Sequence, residues 1–173
     1  MANISVMYTE EQVDARVKEL AEQISADFKG EDVHLVCILK GSIFFTAELA
    51  KRIENDVTLD FMSVSSYGNE TTSSGRVKIV KDLDESIQGK NVIVVEDIVD
   101  TGRTLSFLLE MLAARGPKSL KLCTLLNKPD RRVVDIPVDY VGFDVPDKFV
   151  VGYGMDYAQK YRALPYIGVV ETL

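Results

Sequence analysis

The stretch VIVVEDIVDTGRT, residues 92–104, decides how this chain can fold and what it can bind. It begins with four β-branched apolar residues, which is typical of a strand buried on both faces of a parallel sheet. Glu96 and Asp97 follow directly, Asp100 comes three residues later, and Thr101-Gly102-Arg103-Thr104 then starts a helix. Because ligands of parallel sheets bind beyond the carboxyl ends of the strands, we predict a binding site in the turn from Glu96 to Thr104.

This turn offers two different kinds of ligand contact. A helix start presents unpaired N–H groups and a positive dipole end, and Gly102 with Thr101 and Thr104 beside it allows a phosphate to approach closely. Glu96 and Asp97 suit sugar hydroxyls and a magnesium ion instead. A ribose 5-phosphate has both features. An ordinary capped turn explains most Asp-Thr-Gly sequences, but three acids beside a glycine-opened helix favour the binding site.

The remaining patterns alternate between helix and strand. Thr9 and Gln12 fit a capping box before a helix, and a second helix is predicted over residues 43–53. Strands are predicted at residues 33–39, 57–65, 76–81, 91–95, 120–126, 140–143, 149–151 and 166–170. These elements predict an α/β fold with a central, mostly parallel twisted sheet and helices on both faces.

Domain organisation follows from the same patterns. We expect one domain over residues 1–173, with a small hood subdomain built from the last third. Residues 66–75 are small and polar, which predicts a flexible antiparallel hairpin that acts as a lid.

Composition excludes several functions. The net charge of −7 argues against nucleic acid and anionic membranes as partners. No apolar run approaches the ~18 residues of a membrane span, and residues 1–9 lack the features of a signal peptide. Cys37, Cys123 and the single histidine, His34, lie in strand-like runs, so a disulfide or a catalytic triad is not expected. We expect a cytoplasmic protein.

The turn resembles the phosphoribosyl-pyrophosphate motif of the type I phosphoribosyltransferases. Further segments narrow the resemblance to the hypoxanthine-guanine group of that family, over nearly the whole chain. They are Leu39-Lys40-Gly41-Ser42, Ser65-Ser66-Tyr67, Leu126-Asn127-Lys128, Tyr140 to Phe143, Pro146 to Tyr157, and Tyr161-Arg162.

The resemblance implies a role for each matching residue. Asp100 would be the general base or acid at purine N7. Glu96 and Asp97 would hold the ribose hydroxyls and one Mg²⁺, and Asp156 would hold a second. The remaining substrate contacts would come from Lys40, Gly41, Ser66, Tyr67, Thr101, Gly102, Arg103, Thr104, Lys128, Phe149, Val150 and Arg162.

These contacts divide by the part of the substrate they reach. Thr101 to Thr104 would bind the 5-phosphate, and Arg162 would pair with pyrophosphate. Lys40 and Gly41 would also contact pyrophosphate, through a non-proline cis peptide. At the purine, Lys128 would donate to the 6-oxygen, Phe149 would stack on the ring, and the Val150 backbone would meet the exocyclic edge.

The resemblance therefore implies a purine-salvage enzyme. It would transfer the phosphoribosyl group of phosphoribosyl pyrophosphate to N9 of hypoxanthine or guanine, giving IMP or GMP and pyrophosphate. We expect a homo-oligomer, either a dimer or a tetramer. Two alternatives remain, a xanthine-preferring enzyme and an RNA-binding regulator of the same fold, although the regulator needs a basic face that a charge of −7 disfavours.

Overall fold

The computed structural model describes residues 2–66 and 77–172. Its helices are α1 (Glu10–Asp27), α2 (Ile43–Arg52) and α3 (Arg103–Ala113), with a short 3₁₀ helix at Pro129–Arg131. Its strands are β1 (Asn3–Tyr8), β2 (Val33–Ile38), β3 (Val57–Ser66), β4 (Val77–Lys81), β5 (Asn91–Val99), β6 (Ser119–Asn127), β7 (Tyr140–Asp144), β8 (Val150–Val151) and β9 (Ile167–Thr172).

The central sheet has six strands in the order β4-β3-β2-β5-β6-β7. All neighbouring strands are parallel except the pair of β3 and β4, which is antiparallel. Strand β2 is buried along its whole length, as its unbroken apolar run predicts, because helices cover both faces of the sheet. This confirms the predicted α/β architecture.

Two apolar clusters form the core, one on each face of the sheet. Helices α1 and α2 pack in the first cluster, with Leu20 and Phe45 fully buried. Helix α3 packs in the second through Leu108 and Leu112. Helix α1 begins with the predicted capping box, in which Thr9 and Gln12 exchange side-chain and backbone hydrogen bonds. The site is thereby carried on strands that are fixed from both sides.

A second, three-stranded sheet in the order β1-β9-β8 forms the hood. The prediction that the hood comes only from the last third of the chain is wrong, because β1 pairs antiparallel with β9, from Asn3 opposite Thr172 to Tyr8 opposite Ile167. Half of the β1 residues are exposed, so the strand is held mainly by its backbone ladder and leaves a weak apolar pattern in the sequence.

The predicted end of the central strand also differs from the structure. The apolar run predicts that this strand ends at Val95, but β5 continues to Val99 and pairs with β6 at Glu96, Ile98 and Val99. The turn before α3 is therefore shorter than predicted, and Glu96 and Asp97 lie on a strand instead of a loop.

The remaining expectations concern the two cysteines, the histidine, a membrane span and the lid. Cys37 and Cys123 are buried and free, and burial raises the pKa of the Cys123 thiol. The buried His34 ring lies 2.7 Å from Thr58 Oγ1, and burial lowers the histidine pKa. Over residues 2–66 and 77–172, no helix has the length and apolarity required to cross a membrane. Most of the predicted lid, residues 67–75, lies outside the described residues.

Candidate active site

A cavity of about 320 Å³ opens where β5 ends and α3 begins. This volume lies within the range of small-molecule sites. Six of the residues singled out from the sequence line it: Glu96, Asp97, Asp100, Thr101, Gly102 and Thr104. Val64, Ile98 and Leu105 complete the lining. The structure therefore brings the sugar-type and phosphate-type ends of the predicted site into one concave surface.

The phosphate end is built around Gly102, which caps α3 in a left-handed conformation with a φ of 85°. A Cβ atom at this position would lie 2.7 Å from the carbonyl oxygen of Val134, so only glycine fits. The Arg103 N–H donates to Thr101 Oγ1 over 3.4 Å, and the first helical bond joins the Ser106 N–H to the Gly102 carbonyl. The start of α3 thus faces the cavity with its dipole and hydroxyl groups.

The two adjacent acids form a coupled pair. Burial, followed by the charge of Asp97, raises the pKa of Glu96 well above its usual range. Burial also raises the pKa of Asp97, although the Ile98 N–H, which donates to Asp97 Oδ1 over 2.7 Å, partly offsets it. Two adjacent carboxylates are costly to ionise together, and a divalent cation between them would offset that cost. Because both offer only oxygen ligands, they fit a cation such as Mg²⁺.

Gly41 lies directly against this acidic pair. A Cβ at Gly41 would lie only 1.9 Å from Asp97 Oδ2, so the loop after β2 contacts the carboxylate with its bare backbone. The peptide bond between Leu39 and Lys40 is cis, as the resemblance implies for this loop. Lys40 itself is exposed, and it does not line the cavity.

A segment from the hood closes the other side of Gly41. A Cβ at Gly154 would lie 2.1 Å from the Gly41 carbonyl oxygen, so these two backbones also touch. The Arg162 guanidinium donates to the Gly154 carbonyl over 2.5 Å and lies 3.4 Å from Asp156 Oδ1. The positive charge of Arg162 partly offsets the rise that burial causes in the Asp97 pKa.

The predicted metal ligands do not form a single cluster. Among the side chains that the structure describes, no three His, Cys, Asp or Glu residues are close enough to hold one metal ion. Asp156 instead accepts a hydrogen bond from the Gln159 N–H and pairs with Arg162. The two predicted ion positions, one at Glu96 and Asp97 and one at Asp156, stay predictions, and Mg²⁺ commonly takes one or two carboxylates and completes its shell with substrate and water.

The predicted purine-binding residues lie at the carboxyl end of β6 and at the start of β8. Lys128 is buried, and its ammonium group lies 3.6 Å from Asp147 Oδ1. Phe149 is 52% exposed, and its ring meets Tyr157 edge-on with centroids 5.5 Å apart. Val150 pairs with Val169 of the hood. An exposed aromatic ring can stack on a planar ligand, and a lysine ammonium group can donate hydrogen bonds to it.

Two arginines that the sequence analysis missed lie beside Asp100. Arg131 Nε donates to Asp100 Oδ1 over 2.5 Å, and Arg132 Nε donates to the Asp100 carbonyl over 3.1 Å. Both follow the end of β6, the strand next to β5, and so they lie at the same edge of the sheet as the acids. Two consecutive arginines shortly after the end of a strand are the sequence feature from which a role for them could have been predicted.

Three further predicted residues are Ser66, Tyr67 and Arg103. Ser66 ends β3 and lies opposite Val77 of β4, and Tyr67 is outside the described residues. Arg103 begins α3 at the phosphate end.

Comparison with known proteins assigns the family. The family model for the phosphoribosyl transferase domain matches residues 7–158. The chain belongs to the phosphoribosyltransferase family. The part of the sequence that matches contains the acidic pair, the phosphate turn, Lys128, Phe149 and Asp156.

Individual phosphoribosyltransferases resemble the chain over almost its full length. A hypoxanthine phosphoribosyltransferase from Escherichia coli is 52% identical over 172 residues, which cover 98% of this chain and 97% of the relative. A hypoxanthine-guanine phosphoribosyltransferase from Streptococcus thermophilus is 51% identical over 166 residues, covering 96% and 92%. A crystal structure of a hypoxanthine-guanine phosphoribosyltransferase from Bacillus anthracis superposes with a TM-score of 0.95 at 54% identity, covering 98% and 99%.

Proposed function

We propose that this phosphoribosyltransferase transfers the 5-phosphoribosyl group of phosphoribosyl pyrophosphate to N9 of hypoxanthine or guanine, giving IMP or GMP and pyrophosphate. The observation that carries the proposal is the single cavity in which Glu96, Asp97, Asp100 and the glycine-capped start of α3 meet. The names of the similar enzymes support the choice of base.

Each end of the cavity has a task in binding the sugar phosphate. The backbone and hydroxyl groups from Thr101 to Thr104 hold the 5-phosphate at the helix start. Glu96 and Asp97 hold the ribose hydroxyls and a Mg²⁺ ion, which when bound neutralises part of the pyrophosphate charge. Asp156 holds a second Mg²⁺. Lys40 and the backbone of Gly41 contact pyrophosphate from one side, and Arg162 contacts it from the other.

The chemical step separates charge at the ribose. As the bond between C1 and the pyrophosphate oxygen breaks, positive charge develops on the ribose and the bond from purine N9 to C1 forms. Lys40 and Arg162 stabilise the departing negative charge. The proton on N7 of the base passes to the Asp100 carboxylate, so that the product leaves as a neutral purine.

Lys128 decides which bases react. Its ammonium group only donates, so it favours the 6-oxygen of hypoxanthine, guanine or xanthine and is mismatched to the 6-amino group of adenine. Phe149 stacks on any purine. Backbone carbonyls near Val150 accept from the 2-amino group of guanine and repel the 2-oxygen of xanthine. Hypoxanthine and guanine are therefore the expected substrates.

The remaining features of the proposal concern the setting of the reaction. We expect the enzyme to work in the cytoplasm, where a reducing environment suits the free, buried Cys37 and Cys123. We also expect it to work as a dimer or tetramer. Its small-molecule partners are phosphoribosyl pyrophosphate and 6-oxopurines.

A base panel tests this function. Monophosphate formation is measured with phosphoribosyl pyrophosphate and each of hypoxanthine, guanine, xanthine, adenine and uracil at equal concentration, with Mg²⁺ or with excess chelator. We expect rapid turnover of the first two, slow turnover of xanthine, none of adenine or uracil, and loss of activity in chelator. Preference for xanthine or uracil would refute the purine assignment, and full turnover in chelator would refute the role of Mg²⁺.

A further inference from the structure

Arg131 lies at the end of the 3₁₀ helix that follows Lys128. Its Nε atom donates to Asp100 Oδ1 over 2.5 Å, and one terminal nitrogen lies 3.4 Å from Asp147 Oδ2. The Arg131 and Asp100 side chains are both about one-third exposed, so the pair is not fully solvated, and Asp100 itself lines the cavity. The Asp100 carboxylate raises the pKa of Arg131 through this hydrogen bond, so the guanidinium stays charged.

The segment that carries Arg131 is tied to the phosphate turn by its backbone. The Lys128 N–H donates to the Val99 carbonyl over 2.9 Å, and the N–H groups of Val133 and Val134 both donate to the Thr101 carbonyl. Arg132 Nε donates to the Asp100 carbonyl over 3.1 Å. Two successive arginines thus hold different groups of Asp100, with Arg132 on its backbone and Arg131 on its carboxylate. The position of Arg131 relative to Asp100 is therefore fixed at several points.

Asp147 extends this arrangement to Lys128, the residue proposed to read the base. Its carboxylate lies 3.6 Å from Lys128 Nζ through one oxygen and 3.4 Å from Arg131 through the other. Alternating charges then run from Lys128 through Asp147 and Arg131 to Asp100. The group that reads the 6-oxygen and the group that takes the N7 proton belong to one connected ion-pair network.

We propose that Arg131 is a positioning residue that aims the Asp100 carboxylate at purine N7, and that Asp147 fixes Arg131 relative to Lys128. This inference rests on the proposed function. A guanidinium hydrogen-bonded to Oδ1 restricts rotation of the carboxylate, and Oδ2 then receives the N7 proton. The proton moves from N7 to Oδ2, and no other group changes its bonds in this step.

The test compares Arg131→Gln and Arg131→Lys with the unaltered enzyme. We expect Arg131→Gln to lower kcat for IMP formation about 10- to 100-fold, because a misplaced group loses much of its rate advantage. The KM for phosphoribosyl pyrophosphate should change little, since Arg131 does not line the phosphate end. Arg131→Lys, which keeps the charge but not the geometry, should recover part of kcat.

A double-mutant cycle separates positioning from a structural role. If Arg131 acts through Asp100, adding Arg131→Gln to Asp100→Asn should lower kcat by much less than it does alone. Arg115→Gln is the matched control, because Arg115 pairs with Asp82 over 2.8 and 3.0 Å in a remote ion pair. It should leave kcat unchanged.

The possible outcomes distinguish this inference from the proposed function. Absence of IMP formation by the unaltered enzyme would refute the proposed function itself. An active enzyme whose kcat is unchanged or raised by Arg131→Gln would overturn only the positioning role. An equal loss in the presence and absence of Asp100→Asn would also overturn it, because the arginine would then act on something other than Asp100.

Discussion

Replacing Gly41 by alanine tests whether bare backbone beside the acidic pair is required for activity. The new Cβ would lie 1.9 Å from Asp97 Oδ2, whereas real Cβ contacts are essentially never closer than 3.0 Å. The carboxylate must therefore move by about 1 Å or more, which also disturbs its hydrogen bond from the Ile98 N–H. A displacement of this size can lower a rate ~10²-fold.

The expected result is a loss of about 10²-fold in kcat/KM for phosphoribosyl pyrophosphate, with a higher Mg²⁺ concentration needed for half-maximal rate. Initial rates of IMP formation across a Mg²⁺ series measure both. The substitution should affect the free energy of unfolding less than it affects kcat/KM, because the contacted atom, Asp97 Oδ2, is at the end of a side chain that can rotate.

Gly142→Ala is the matched control. Its Cβ would lie 2.3 Å from the backbone carbonyl of Leu125, away from the cavity, so it should lower the melting temperature and leave kcat of the folded enzyme near normal. If Gly41→Ala kept normal kcat/KM and Mg²⁺ dependence, Asp97 would not act in the position that the structure gives it.

Three further substitutions test other parts of the structure. Asp100→Asn should lower kcat by ~10²–10⁴-fold with little change in the KM for phosphoribosyl pyrophosphate, and unchanged turnover would leave Asp100 only a structural role. Lys128→Ala should slow hypoxanthine and guanine together by about 10- to 100-fold, corresponding to a lost charged donor, and a loss confined to one base would contradict the contact with the 6-oxygen. Asp60→Asn should destabilise the fold by about 1–3 kcal/mol in chemical denaturation at neutral pH, because the buried carboxylate accepts from the N–H groups of Phe61, Asp84 and Glu85. Burial opposes ionisation of Asp60, but these three donors and Lys81 together lower its pKa below the usual value of 3.8. The contribution of the Asp60 carboxylate to the free energy of unfolding should therefore be full above pH 3.8, and it should disappear as the pH falls through the lowered pKa. A difference in unfolding free energy between the two proteins that persists at lower pH would contradict this account.

The sequence predicted the central sheet and the phosphate turn because both depend on local patterns. The run from Val92 to Val95 has no polar interruption, and Gly102 lies where a helix start must accommodate a close backbone approach. Strand β1 was missed because its side chains are largely exposed and its stability comes from pairing with residues more than 150 positions away. Such pairing leaves no periodic signal in β1, whereas β9 was predicted as a strand over residues 166–170.

The site shows the same division between local and distant information. Glu96 and Asp97 were recognisable as neighbours, but their place on a strand was not, since pairing with β6 outweighs the low strand preference of acids. Arg131 and Asp100 are 31 positions apart, so their contact depends on the adjacency of β5 and β6. The assignments of Phe149 and Arg162 came from family resemblance, because each alone is an unremarkable residue type.

The pairing of β1 with β9 also bears on how the protein is made. A ribosome makes β1 before its partner β9, and about 160 residues separate the two strands. Until then β1 has no neighbour, and β8 also lacks the strand on which Val150 is aligned. The central sheet can assemble during translation, whereas the hood, with the Val150 backbone that we propose meets the purine edge, must wait for β9. Catalytic competence should therefore arise only after β9 has emerged from the exit tunnel.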